Sequence, residues 1–191
     1  MHVSIHTVRL YDILMLMGGG IMEETVALIE QIIAEHKSLR QRVQILEQTA
    51  NDTEAIAGLD KTKDTFVPGR FDQQQGLKDL QEMLVNIDRG LAEHFTREET
   101  ALLAAFERHG DRELAEQLRS LLLEHEDLRN RFKRSQEHVN ELAGNTLSRH
   151  LWEASANDMR AHLSHTRKLL EAHAEIEQEL LHNLRQRLKR E

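Results

Sequence analysis

The sequence contains no cysteine, a single proline and few aromatic residues, which make up 4% of the chain. The absence of cysteine excludes disulfides, thiolate metal sites and cysteine nucleophiles. Proline breaks helices and aromatic residues favour strands, so their scarcity favours a helical chain. No run approaches the ~20 apolar residues that a membrane-spanning helix needs. These absences predict a helical protein that does not enter a membrane.

The charge balance restricts the partners. The net charge is -8 at pH 7, whereas general nucleic-acid binding requires a basic surface. The 191 residues are enough for one domain with a substantial core. An acidic chain without cysteine fits the cytosol. We therefore expect a cytoplasmic protein that binds no nucleic acid, while the sequence indicates no particular protein partner.

The N-terminal residues differ from the rest of the chain. An apolar stretch ends at the glycine run 18–20, and a regular helical pattern begins at Met22. A basic n-region and a small-residue cleavage site are both missing, so a signal peptide is not predicted. Residues 1–21 are interpreted either as an extension outside the core or as a short segment that packs on the bundle. We assign the main domain to residues 22–191.

Apolar residues recur three and four positions apart, which is typical of one buried helical face. This spacing predicts four helices, at about 22–50, 73–108, 112–143 and 147–190. The connections at 109–111 and 144–146 are short enough to force antiparallel neighbours. The longer connection at 51–72 is interpreted as a packed crossover, with a functional lid as the alternative. The predicted fold is all-α, an antiparallel up-down-up-down four-helix bundle.

Histidine and glutamate replace apolar residues on these predicted buried faces. The second helix has a histidine and a glutamate four residues apart, and the fourth helix repeats that spacing. The first and third helices each have one histidine on the buried face. The residues are His36, His94, Glu98, His125, His173 and Glu177.

These side chains are expected to meet. At 1.5 Å of rise per residue, all four histidines lie roughly 21–25 Å from the same end of the bundle. One such histidine alone is best explained as a hydrogen-bonded core residue, but two buried carboxylates in the same layer would repel or take up protons. A pair of divalent cations at ~3.5–4 Å, bridged by the carboxylates, removes that conflict. Imidazole and carboxylate ligands suit iron, with manganese or zinc as alternatives.

This set of residues resembles the hemerythrin-like (HHE cation-binding) domain family. The resemblance covers about residues 22–190 and includes the flanking pairs Glu35-His36, Glu98-Glu99 and Glu124-His125. It implies a four-helix bundle with a non-haem site for two iron ions, held by the four histidines and two glutamates.

Two positions depart from the oxygen-carrying hemerythrins. Those proteins have a second histidine four residues after the histidine of the third helix, where this chain has Arg129. They also have an aspartate five residues after the histidine of the fourth helix, where this chain has Gln178. Both differences argue against simple reversible oxygen carriage.

Three functions follow as hypotheses. The first is a di-iron protein that binds or senses O2, NO or iron status. The second is a di-iron enzyme of peroxidase-like, oxidase or NO-reducing type, although no general acid or base can be assigned. The third is a metal-free interaction bundle.

Three further residues lie on the same predicted helices as the site residues. Arg40 and Arg129 either steady a bridging carboxylate or extend into solvent, and His162 is expected to be a hydrogen-bonded core residue.

Overall fold

The computed structural model describes the backbone of residues 5–51, 71–144 and 146–190. It describes the exposure of residue 20 and of residues 22–51, 75–144 and 146–190. The elements are α1 (Ile5–Asn51), α2 (Phe71–Arg97), a π-helical turn (Glu98–Leu102), α3 (Leu103–His109), α4 (Arg112–Leu122), α5 (Glu124–Ala143) and α6 (Arg149–Leu188). The second predicted helix is formed by α2, the π-helical turn and α3, and the third by α4 and α5. No strand occurs in these ranges.

Four helical rods form a closed ring of neighbours: α1, the unit from α2 to α3, the unit from α4 to α5, and α6. Helix α1 contacts α2 and α6, and α5 contacts the same two helices. Each rod therefore lies beside the rods that precede and follow it in the chain, and the last returns to the first. This arrangement confirms the predicted all-α bundle. In the part of the chain that is described, no helix is long and apolar enough to cross a membrane.

The start of the first helix differs from the prediction. Helix α1 extends from Ile5 through the glycine run at 18–20, so the predicted helix start at Met22 was wrong. Each glycine weakens a helix by about 1 kcal/mol but leaves its hydrogen bonds intact, unlike proline. The division between residues 1–21 and 22–191 stays a prediction. The expected crossover falls almost entirely within 52–70, outside the described residues.

A tight turn separates the second and third rods, as predicted. Asp111 accepts a hydrogen bond from the backbone N–H of Leu114 at 2.8 Å, which caps α4. Gly110 ends α3, and a β-carbon placed there would collide with the carbonyl oxygen of Phe106. The turn therefore needs glycine because of this close approach, and it sets the antiparallel direction of the next rod.

The core consists of two apolar clusters separated along the bundle axis. One cluster contains residues such as Leu39, Leu91 and Leu128, and the other contains residues such as Ile32, Leu102 and Leu121. The predicted polar positions lie in sequence between the members of these two clusters on every rod. The clusters therefore enclose a polar layer from both sides and shield it from water.

The π-helical turn changes the buried face of the second rod. In a regular α-helix the three-and-four spacing would place Ala101 after Glu98 on this face, but Ala101 is exposed and Leu102 is fully buried. A π-helical turn closes i→i+5 hydrogen bonds, so the next inward position comes later than in an α-helix. The turn begins at Glu98, one of the predicted site residues.

Candidate metal centre

The structure brings all six predicted site residues together in the polar layer. The imidazoles of His36, His94, His125 and His173 and the carboxylates of Glu98 and Glu177 are each at most 6% exposed. They form two groups whose potential ligand atoms lie within 4.8 Å of one another. The first group contains His36, His94, Glu98 and Glu177, and the second contains Glu98, His125 and His173. Glu98 belongs to both groups.

The contacts between imidazoles and carboxylates are short in the first group. Nε2 of His94 lies 2.6 Å from Oε1 of Glu98. Nε2 of His36 lies 3.4 Å from the same oxygen and 3.1 Å from Oε2 of Glu177. The second oxygen of Glu98 faces the other group, at 3.2 Å from Nε2 of His125. Glu98 is thus positioned between the two groups, one oxygen towards each.

The second group places two imidazole nitrogens face to face. Nε2 of His125 lies 3.2 Å from Nε2 of His173. Nδ1 of His125 bonds the carboxylate of Glu99 at 2.8 Å, and Nδ1 of His173 bonds Glu124 at 3.1 Å. Because a carboxylate accepts hydrogen bonds, these contacts assign the proton of each ring to Nδ1. The two Nε2 atoms then present lone pairs to the same space, an arrangement that suits a cation.

Three acidic residues outside the layer orient the histidines. Glu35 bonds Nδ1 of His94 at 2.8 Å, as Glu99 and Glu124 do for the other two rings. Arg97 bonds the Glu35 carboxylate, and Arg129 bonds the Glu99 carboxylate at 2.7 Å. Carboxylates in this position fix the ring tautomer and make the opposite nitrogen a better ligand. The sequence pattern alone gives no role to Glu35, Glu99 or Glu124, although each adjoins a predicted ligand in the chain.

Burial and charge shift the pKa values in opposite directions across the layer. Burial lowers the pKa of His36, but contacts with Glu177 and Glu98 outweigh it and raise that pKa to about 9. Burial raises the pKa of Glu98, yet its contacts with three histidines hold it well below its usual range. For Glu177, burial and the neighbouring Glu98 raise the pKa despite His36. Burial also lowers the pKa of His173, against the effect of Glu124.

The donor set fits divalent cations. Both oxygens of Glu98 and both of Glu177 are buried and have no well-directed hydrogen bond within the described residues. Leaving four carboxylate oxygens in that condition is costly unless a cation approaches them. Ligand atoms within 4.8 Å of one another are compatible with donors that each lie ~2.0–2.2 Å from a shared ion. Neutral imidazole and carboxylate are suitable for such ions.

Three further residues were discussed from the sequence. Nε2 of His162 lies 3.0 Å from the carbonyl oxygen of Arg131, so this half-buried histidine is hydrogen-bonded outside the site, as expected. Arg129 pairs with Glu99 and not with a bridging carboxylate. Arg40 is half-buried, and its Nε and Nη2 atoms have no hydrogen-bond partner among the described residues. The side chain of Arg129 is 41% exposed, so it extends into solvent as one of the two alternatives stated, and Arg40 steadies no bridging carboxylate through Nε or Nη2.

Comparison with known proteins agrees with this geometry. The family model described as hemerythrin HHE cation binding domain matches residues 27–184. Searches of curated proteins and of solved structures give no significant match. The family match includes part or all of each of the four rods and every residue of the polar layer. The buried histidine and glutamate cluster lies in a metal-binding bundle, and the chain belongs to the hemerythrin HHE cation-binding family.

Proposed function

We propose that this protein is a non-haem di-iron protein that binds or senses O2, NO or iron status through the polar layer. The six ligands are His36, His94, Glu98, His125, His173 and Glu177. The observation that carries the proposal is the pair of donor groups that share Glu98 inside one bundle. Iron, when bound, supplies a change of oxidation state and a coordination position for a small gas; manganese and zinc are the alternative ions.

The chain's own residues supply burial and orientation. The apolar clusters on both sides exclude water from the layer, which strengthens the electrostatic interactions inside it. Glu35, Glu99 and Glu124 hold three of the imidazoles in place. A water-poor site of this kind is suited to binding a small ligand.

Metal content and absorption spectra test the proposal directly. We expect protein purified without chelator from iron-supplied cells to carry about two iron ions per chain. The visible spectrum of the ferrous protein should change on exposure to O2 or NO. His125→Ala combined with His173→Ala should lose about one iron ion per chain, because it removes two donors of the second group, whereas His162→Ala, on the same helix as His173, should keep both ions. An intact wild-type chain that binds no iron would contradict the proposal, as would an iron-loaded chain whose visible spectrum changes with neither gas.

The alternative is a di-iron enzyme of peroxidase-like, oxidase or NO-reducing type. The unequal donor groups favour it, because one group has four protein residues and the other has three. Fewer protein ligands leave room for a reacting molecule at a metal site. Turnover of H2O2 and NO by the iron-loaded protein separates the two functions. Rates equal to those of free iron would reject the enzyme and favour the binding or sensing role.

A further inference from the structure

A groove lies on the outer surface of the bundle between α1 and α2, and no residue of the polar layer lines it. Its volume is about 540 Å³, a size typical of sites that bind small organic molecules. Its apolar wall consists of Ile45 from α1 and of Met83 and Ile87 from α2. Ile45 is 45% exposed and Ile87 is buried, so this wall runs from the surface to the core. The groove therefore offers apolar surface that the bundle leaves accessible.

Gly90, a residue inside α2, lines the groove without a side chain. A β-carbon at this position would lie 3.6 Å from Cδ2 of Leu39 and 3.8 Å from Nη1 of Arg42, both ordinary van der Waals distances. Helix packing therefore leaves room for alanine here, although glycine stabilises a helix less than alanine does. The glycine thus leaves space in the groove that the contact between α1 and α2 does not require.

Two arginines line the groove from different helices, Arg42 from α1 and Arg89 from α2. Most arginines of the described chain pair with a carboxylate. Arg89 instead donates from Nη2 to Oδ1 of Asn86 at 2.8 Å, and Arg42 has no ion pair or hydrogen bond within the described residues. The exposed Glu93 also lines the groove. Two arginines and one glutamate leave this groove with a net positive charge, on a chain whose net charge is -8.

We propose that this groove binds an aliphatic carboxylate of medium chain length. The apolar wall removes the chain from water, and the flexible thioether of Met83 adapts to it. Arg42 and Arg89 donate to the carboxylate oxygens, because a guanidinium group matches the planar geometry of a carboxylate. The site goes beyond the proposed di-iron function and does not depend on it, because none of these residues belongs to the polar layer.

Calorimetric titration of the full chain with sodium octanoate tests the groove. We expect a single saturable site whose affinity is the same before and after iron loading. Arg42→Gln combined with Arg89→Gln should weaken octanoate binding about tenfold or more, because charged donors are lost. Binding of the neutral 1-octanol should change by less than about threefold in that variant. Arg108→Gln removes the same charge from an exposed position on the same rod and should leave the octanoate affinity unchanged.

Gly90→Leu tests the space in the groove without removing a charge. Leucine is a better helix former than glycine, so helix content measured by circular dichroism should be retained. Its side chain extends into the groove, and we expect octanoate binding to be lost. Glu93→Gln removes the opposing charge and should strengthen octanoate binding.

Four results would overturn the site. These are octanoate binding that does not saturate, wild-type octanoate affinity in the double arginine variant, and an equal loss of octanoate and 1-octanol in that variant. The fourth is octanoate binding that requires iron, because it would place the carboxylate at the polar layer. Wild-type affinity in a folded Gly90→Leu variant would reject the groove as the location. If Gly90→Leu does not fold, the arginine variants still decide the matter, since both positions are exposed.

Discussion

Glu35 lies next to His36 on α1, yet its carboxylate bonds Nδ1 of His94 on the neighbouring helix at 2.8 Å. The same relation recurs in the second half of the chain, where Glu124 adjoins His125 and bonds His173 on α6 at 3.1 Å. Each Glu-His pair therefore contributes one side chain to the polar layer and another that orients the next helix's histidine. The sequences that contain these pairs are also similar, AEHKSLRQR at residues 34–42 and LEHEDLRNR at residues 123–131.

Removing the charge of these carboxylates should weaken metal binding without removing a ligand. We expect Glu35→Gln and Glu124→Gln each to lower metal affinity about 10- to 100-fold, since such partners fix the ring and its tautomer. Competition with a chromogenic chelator measures the affinity. The control is Glu116→Gln, which changes an exposed glutamate paired with Arg112. Affinities equal to the control would show that these contacts do not support the site.

Glu98 and Glu177 should differ in their effect on metal content. Glu98 belongs to both donor groups, whereas Glu177 belongs to one. We therefore expect Glu98→Gln to lose nearly all bound metal and Glu177→Gln to retain about one ion per chain, if each group holds one ion. Elemental analysis of the purified variants, together with circular dichroism to verify helix content, measures this difference. Equal metal content in the two variants would reject the central position of Glu98.

The sequence predicted the polar layer well because helix geometry is regular. The rise per residue and the three-and-four spacing placed His36, His94, His125 and His173 at one height without any structure. The roles of Glu35 and Glu99 depend on contacts between helices, and no spacing within one helix reports them. The exposure of Ala101 does not follow from the apolar pattern, because the π-helical turn has no signature in that pattern.

Metal affinity should increase with pH across the neutral range. The pKa of His36 is raised from 6.5 to about 9, because Glu177 and Glu98 outweigh burial, which lowers it. A cation binds only the deprotonated ring, so below that pKa binding must release a proton. We expect the affinity for Co²⁺ to rise by up to about tenfold per pH unit from roughly pH 6.5 to pH 9 and then to level off.

The raised pKa of Glu177 acts in the same direction, since its proton must also leave. The affinity is measured by competition with a chelator whose own protonation is known, so that its pH dependence can be subtracted. An affinity that stays constant between neutral pH and pH 9 would show that cation binding displaces no proton from His36.

Stripping the metal should lower the melting temperature, because the donor atoms come from four separate rods and are assembled only in the folded chain. A free metal concentration of 100 times Kd stabilises the fold by about 2.7 kcal/mol. For a chain of this length, that corresponds to a shift of about 5–10 °C. Thermal unfolding followed by circular dichroism, before and after dialysis against a chelator, measures the shift. The Glu98→Gln variant, which should lose nearly all bound metal because Glu98 belongs to both donor groups, should melt at one temperature in both conditions. A chelator effect of equal size in that variant would attribute the stabilisation to some other site.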